Sequence, residues 1–317
     1  MHSIWLENQH LSVREIPVPD PPPREALVRV RLAGICATDL ELVKGYYPYM
    51  GVLGHEFVGD IVDAPSAPER VGQRVVGEIN AACGKCETCK RGHPTHCENR
   101  TVLGIVNRNG AFAEYLTLPL ENLVPVPAPV TDEMAVFTEP LAAALEIQEQ
   151  VLIRPTDRVL LIGAGRLGQL IAYTLKLTGC DLCVVTRHDS QRRLLEAVDI
   201  PCVHVDEVSS RNMDLVVEAT GSPVGYALAR KAVRPRGTIV LKSTYAGETQ
   251  IDFSSVVVDE ISLIGSRCGP FLPALRLMET GLVDPRLLIN ANYPLNEGIA
   301  AFELASQPGV FKVLVRP

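Results

Sequence analysis

Residues 83–97 read CGKCETCKRGHPTHC and set four cysteines, Cys83, Cys86, Cys89 and Cys97, apart by two, two and seven residues. Two overlapping Cys-x-x-Cys turns can aim three sulfurs at one centre, and Gly84 and Gly92 permit the tight backbone that brings in the fourth. That is the donor set of a structural zinc, a closed tetrahedron of thiolates with no open position. Reduced cysteines in an ordinary loop would leave four thiols in a polar stretch with no apolar core to hide them. A disulfide framework fits no better, because the 317-residue chain holds nine cysteines, an odd number, and shows no apolar N-terminal signal segment. These features predict a reduced, cytoplasmic protein.

A chain of this length suits two domains, each with its own core. Short alternating apolar segments at 26–32, 57–62, 74–79 and 112–118, punctuated by Gly and Pro, read as strands of a sheet or barrel. Pro17, Pro19, Pro21, Pro22 and Pro23 make an extended connector. Pro125, Pro127 and Pro129 close the strand-rich region and give way to a helical pattern near Thr131, a candidate domain border. From Arg158 the rhythm changes: apolar runs at 159–162, 182–185, 215–217, 238–241 and 261–264 are separated by helical stretches. This alternation predicts an α/β, doubly wound parallel sheet covered on both faces. The segment 311–315 falls outside it and is expected to rejoin the strand-rich body.

The hydrophobic fraction of 47% and charged fraction of 21% are those of a globular chain. No apolar run approaches the roughly 18 residues of a membrane span, so no membrane partner is expected. A net charge of -7 argues against a surface that neutralises phosphates, and hence against nucleic acid. A small-molecule partner remains.

Residues 158–168 read RVLLIGAGRLG, a buried strand running directly into Gly163, Gly165 and Gly168 and then a helical segment. In that context Gly163 makes the tight turn, Gly165 lets a pyrophosphate approach and Gly168 packs helix against strand. The helix N-terminus offers N–H groups to the phosphates. Arg166 and Leu167 in the same turn, and Thr220 beyond the third strand, are further candidate cofactor contacts. About 20 residues on, NAD sites carry an acidic residue for the ribose hydroxyls. Arg187 stands there instead, followed by Arg192 and Arg193, a local charge that suits a 2′-phosphate. NADP(H) is therefore predicted over NAD(H).

Two upstream segments, GICATDL with Cys36, Thr38 and Asp39, and GHEFVGD with His55 and Glu56, each have a bland explanation alone: a small buried thiol and a core histidine. Together with the cysteine cluster, Glu-Pro-Leu at 139–141, the glycine turn and GSRCG at 265–269, in that order, they span nearly the whole chain. On these motifs the chain resembles the zinc-dependent medium-chain alcohol dehydrogenase superfamily, in the branch of threonine and sorbitol dehydrogenases.

The resemblance implies a GroES-like β-barrel catalytic domain over 1–140 and 267–317, carrying the structural-zinc lobe. It also implies a Rossmann domain over 141–266, with the active site in the cleft between the two. Two zinc ions per chain follow, one on Cys83, Cys86, Cys89 and Cys97 and one catalytic. Cys36 and His55 match the ligands common to the family. Glu56 matches an acidic neighbour that stays beside the metal or enters its coordination, and Glu139 matches the position where this branch places a glutamate. Cys, His and one carboxylate leave a position open for substrate. Asp39 is suited to orient a ligand from behind.

Thr38 matches the Ser/Thr that begins a proton relay, for which a hydroxyl's ability to donate and accept is needed. Glu41 stands where many relatives carry a histidine, and Glu146 where another often follows, so water or Glu41 would continue the relay. The implied reaction is reversible hydride transfer between NADP or NAD and a secondary alcohol, polyol or sugar hydroxyl, in a homo-oligomer, dimer or tetramer. One rival is a zinc- and cofactor-binding protein of this fold without chemistry, which the joint presence of Cys36, Thr38, His55, Glu56 and Glu139 disfavours. Another, a zinc-ribbon nucleic-acid module, is disfavoured by the acidic balance. Arg267 is a candidate cofactor or substrate contact. Cys180, Cys183, Cys202 and Cys268 read as core residues, and Tyr46, Tyr47 and Tyr49 as aromatic loop packing.

Overall fold

The structure, a computed structural model, describes residues 1–208, 210–244 and 250–317. It divides into two compact units, Met1–Glu139 with Phe271–Pro317, and Pro140–Pro270.

The first unit is organised by the strand Glu25–Gly34, in which Ala26, Val28 and Val30 point into the core while Arg29 and Arg31 face water. Glu56–Asp63 and Tyr115–Pro119 pair with it antiparallel. The sheet extends through Arg74–Gly77 to Leu123–Pro125 on one side and through Lys312–Arg316 to Ile289–Pro294 on the other. Segment 311–315 thus returns to the strand-rich body, as its sequence predicts. A three-stranded sheet of His10–Glu15, His2–Glu7 and Gly51–Val52 completes the unit. Ile4, Leu6, Phe57, Ile61 and Phe112 share one core, and Phe112 meets Phe302 edge-on at 5.5 Å.

The second unit is a six-stranded sheet in which every pairing is parallel. Its strands are β1 (Arg158–Ile162), β2 (Asp181–Val185), β3 (Cys202–Val203), β4 (Met213–Glu218), β5 (Val233–Leu241) and β6 (Ser262–Gly265), in the order β3-β2-β1-β4-β5-β6. The helices that follow its strands are α1 (Arg166–Lys176), α2 (Asp189–Glu196), α3 (Pro223–Ala232) and α4 (Phe253–Val258), and most of the helix Thr138–Gln150 precedes them in this unit. From β1 the chain steps outward one way and from β4 the other. Right-handed crossovers therefore place α1 and α2 on one face and α3 on the opposite face. Tyr226 and Ala229 of α3 pack on Leu160, Ile162, Val216 and Ile239. The order reverses at the carboxyl ends of β1 and β4, where such sheets bind ligands. Among the described residues no helix is long and apolar enough to cross a membrane.

Candidate metal and cofactor sites

Cys36 precedes the helix Ala37–Val43 as its N-cap. Asp39 makes that cap, its Oδ2 accepting the Cys36 N–H at 2.8 Å. Asp39 Oδ1 accepts the Gly54 N–H at 3.2 Å and lies 3.3 Å from His55 Nδ1. One fully buried carboxylate thus ties together the segments carrying Cys36 and His55. With Nδ1 turned to Asp39, the other ring nitrogen is left for a ligand.

Glu56 opens the strand Glu56–Asp63 in register with Gly34. A Cβ at Gly34 would sit 2.7 Å from Glu56 Oε2 and 2.8 Å from Val136 Cγ1, so only glycine fits. Glu56, 1% exposed, is ion-paired with Lys312, 3% exposed, which also lies 5.3 Å from the Phe137 ring. One donor atom each from Cys36, His55 and Glu56 converge within 4.8 Å of one another. Thiolate, imidazole and carboxylate are all zinc donors, and three of them leave a coordination position open.

Burial alone would lower the His55 pKa, but the Asp39 carboxylate and the Cys36 sulfur raise it well above the ordinary histidine value. Glu139, in the first turn of the helix Thr138–Gln150, shares these surroundings without joining the converging atoms. Burial pushes its carboxyl up to about 7, with Glu56 and Glu78 adding to the rise and His55 and Lys312 opposing it. Thr38 Oγ1 lies 3.8 Å from Cys36 Sγ. Glu41, on the outer side of the same helix, pairs with Lys44 at 2.8 Å.

The second converging group is Cys83, Cys86, Cys89 and Cys97, all free thiols. Cys86 Sγ lies 3.4 Å from Cys89 Sγ and 3.8 Å from Cys97 Sγ. Sulfurs bound at about 2.3 Å around a tetrahedral metal have edges of about 3.8 Å, so this spacing fits zinc. Backbone amides of Lys85 and Cys86 bring Cys83 down to about 6, and those of Cys89 and Glu98 lower Cys86. Burial, followed by the neighbouring thiols of Cys86 and Cys97, pushes Cys89 up to about 12.

In the second unit, β1 runs into Gly163 at a φ of +105°. A Cβ there would meet Ala219 O at 2.7 Å, and one at Gly168 would meet Gly163 O at 2.0 Å. Around Gly165, the N-cap of α1, a Cβ would meet nothing within 4 Å. Two glycines therefore let backbones touch, and the third faces open space where helix N–H groups await an anion. That space is a cavity of about 230 Å³ whose wall includes Gly163, Gly165, Arg187, His188, Gln191 and Thr220. Arg166, Leu167 and Gly168 lie in the first turn of α1, outside the wall. Among the described residues no Asp or Glu lines the cavity.

Gln191 Oε1 accepts the N–H groups of Arg187 at 3.0 Å and His188 at 3.3 Å, fixing the turn that presents Arg187. Thr220 donates its N–H at 2.7 Å and its hydroxyl at 2.5 Å to Glu218 Oε1, a fully buried carboxylate closing β4. Sequence reasoning passed over His188, Gln191, Glu218 and Lys312. Gln191 had a signal, the capping spacing three residues beyond His188.

Residues 22–128 match the family described as the alcohol dehydrogenase GroES-like domain. A sorbitol dehydrogenase of Halalkalibacterium halodurans is 30% identical over 330 residues, covering 97% of this chain and 96% of its own. The chain belongs to the medium-chain alcohol dehydrogenase superfamily. Solved dehydrogenase structures superpose on its whole length. A protein from Sinorhizobium meliloti 1021 bound to NADP, assigned as a zinc-binding dehydrogenase, gives a TM-score of 0.92 at 29% identity, covering 100% of this chain and 99% of that one. An alcohol dehydrogenase from Escherichia coli CFT073 complexed with NADH gives 0.92 at 28% identity, with the same coverage. The GroES-like match thus lies within the first unit of this dehydrogenase, and the second unit holds its Rossmann-type parallel sheet.

The Tyr49 hydroxyl bonds to the backbone oxygens of Val52 at 2.7 Å and Arg108 at 2.9 Å, bracing its loop, while Tyr46 and Tyr47 are exposed. Burial pushes the thiols of Cys180, Cys183 and Cys202 up, the last to about 11, so these are poor nucleophiles. Arg267 is exposed beyond β6.

Proposed function

We propose that the protein is a zinc-dependent oxidoreductase that transfers a hydride between NADP(H) and a secondary alcohol, polyol or sugar hydroxyl. The observation that carries this reading is the buried convergence of Cys36, His55 and Glu56, with Asp39 behind the imidazole. These three would hold one zinc ion, and Cys83, Cys86, Cys89 and Cys97 a second. Zinc at the first site supplies Lewis acidity toward an alcohol oxygen, and the dinucleotide supplies the hydride acceptor.

Cys36 and Glu56 contribute two negative charges, that of Glu56 shared with Lys312, and His55 adds a donor without adding charge. Glu139 stands beside this set as a second available carboxylate. Thr38, partly buried beside Cys36, passes the substrate proton outward through a hydroxyl that both accepts and donates. Glu41 follows it by three residues on the same helix face and meets solvent. In the second unit the α1 N-terminus would hold the pyrophosphate and Arg187 the 2′-phosphate. Similarity to a sorbitol dehydrogenase supports the polyol class, similarity to one NADP-bound and one NADH-bound structure supports a nicotinamide dinucleotide, and Arg187, with no acidic residue among the described ones on the cavity wall, favours NADP(H).

The test is a panel of secondary alcohols and polyols assayed with NADP+ and NAD+, alongside metal analysis. About two zinc ions per chain and a higher kcat/KM with NADP+ are expected. Arg187→Ala should cost NADP+ about 10- to 100-fold in kcat/KM, the loss of one charge-assisted bond, while leaving NAD+ nearly unchanged. A preference for NAD+ that survives Arg187→Ala ends the cofactor assignment, and full activity in Cys36→Ser ends the metal assignment.

A further inference from the structure

The dinucleotide reading of the second unit leaves one buried charge on the same sheet unused. Lys242 follows β5, is 9% exposed, and donates its N–H to the Glu218 carbonyl at 2.9 Å. Its Nζ donates to Ser266 Oγ at 3.0 Å, just beyond β6. Strand alternation fixes its direction: Ile239 and Leu241 pack into the core beneath α3, so Val240 and Lys242 face the opposite side. That side is covered by α1 and by the helix Thr138–Gln150, whose Gln148 side chain donates to Thr174 O of α1 at 3.1 Å. Glu146, half-buried on this helix, lies close enough for the charge of Lys242 to act on its carboxyl.

The N-terminus of α1 opens at the carboxyl edge of the sheet, where the cavity is walled by Val224, Gly225 and Leu228 of α3 as well as by the glycine turn, and Lys242 follows β5 at that same edge. Arg187, two residues beyond β2, marks the adenosine end. The other half of the molecule must run the opposite way, across the carboxyl ends of β4 and β5. From β2 to β5 are three strand spacings, about 14 Å, within the reach of an extended dinucleotide. The carboxyl end of β5, where Lys242 stands, is therefore within reach of the nicotinamide end.

We propose that Lys242, held on Ser266 and faced by Glu146, selects the redox state of the bound cofactor, its ammonium favouring the reduced, uncharged nicotinamide over the oxidised, cationic ring. The proposal rests on the dinucleotide reading of the cavity. Like charges repel more strongly in a partly desolvated pocket than in water, and Glu146 offsets part of that repulsion. The bound couple is thereby biased toward NADPH and the reaction toward carbonyl reduction. NADPH gives a hydride to the carbonyl carbon and becomes NADP+, and the carbonyl oxygen takes up one proton.

The test measures dissociation constants for NADPH and NADP+ on the full zinc-loaded chain by calorimetry, in wild type, Lys242→Met and Glu146→Gln. The ratio of the NADP+ constant to the NADPH constant should fall about tenfold in Lys242→Met and rise severalfold in Glu146→Gln. Loss of packing cannot produce opposite signs. A ratio unchanged in both variants, or shifted the same way in both, overturns the proposal while cofactor binding stands. If the wild-type chain binds neither NADP(H) nor NAD(H), the proposal falls together with the reading beneath it. Should Lys242→Met fail to fold, Lys242→Gln takes its place, with the same fall expected and an unchanged ratio equally decisive.

Discussion

Asp39 holds the Cys36 and Gly54 amides and faces the His55 ring, so its loss loosens two donors at once. Asp39→Ala should weaken zinc at the Cys36 site by about 10- to 100-fold, measured by competition with a chelator. Lys312 acts differently, since Lys312→Met strands a buried carboxylate. That should cost about 3–5 kcal/mol in the metal-free protein by urea unfolding, and adding Glu56→Gln should restore most of it. Glu139 gives a pH signature. In the unfolded chain its carboxyl ionises near 4.5, whereas the metal-free fold holds the proton to about 7. The fold is thus favoured below pH 4.5 and loses that advantage as pH rises through 7. In Glu139→Gln, thermal unfolding of metal-free protein should lack this part of the decline. Asp39, His55 and Glu56 were legible because each sits in a short string with Cys36 or beside another donor. Lys312 was not, because it stands 256 residues from Glu56 and nothing local marks it.

Among the elements, the cysteine lobe is held chiefly by its sulfurs: within 83–97 only Cys97 is buried. Removing its metal should open residues 84–96 to protease while the sheets of the first unit stay protected, which limited proteolysis with mass spectrometry would show. Cleavage unchanged by chelation would count against a structural metal. The spacing of the cysteines and the strand-turn-helix glycines are short-range constraints, and both could be read from the sequence. β3 has only two residues, and the alternation of Ile289–Pro294 rests on Ile289, Ala291 and Tyr293. Neither pattern is strong enough to announce a strand without the neighbours that complete it.

For the whole molecule, the sequence indicated a parallel sheet covered on both faces but not the order of its strands. That order follows from crossover handedness and from where the chain turns back. Ligand linkage offers a test at this scale. NADPH at 100 times its dissociation constant should stabilise the folded chain by about 2.7 kcal/mol, seen as a raised unfolding midpoint. At the same NADPH concentration Arg187→Ala should shift less.

The second unit is one continuous stretch of chain, whereas the first is interrupted by it. The strand that brings Lys312 to Glu56 is translated only after Pro140–Pro270 has been made. On the ribosome, Glu56 must therefore wait in water while the inserted sheet is already free to form. The zinc proposed for Cys36, His55 and Glu56 is therefore expected to load only after Lys312 has been made, later than the inserted sheet can begin to form.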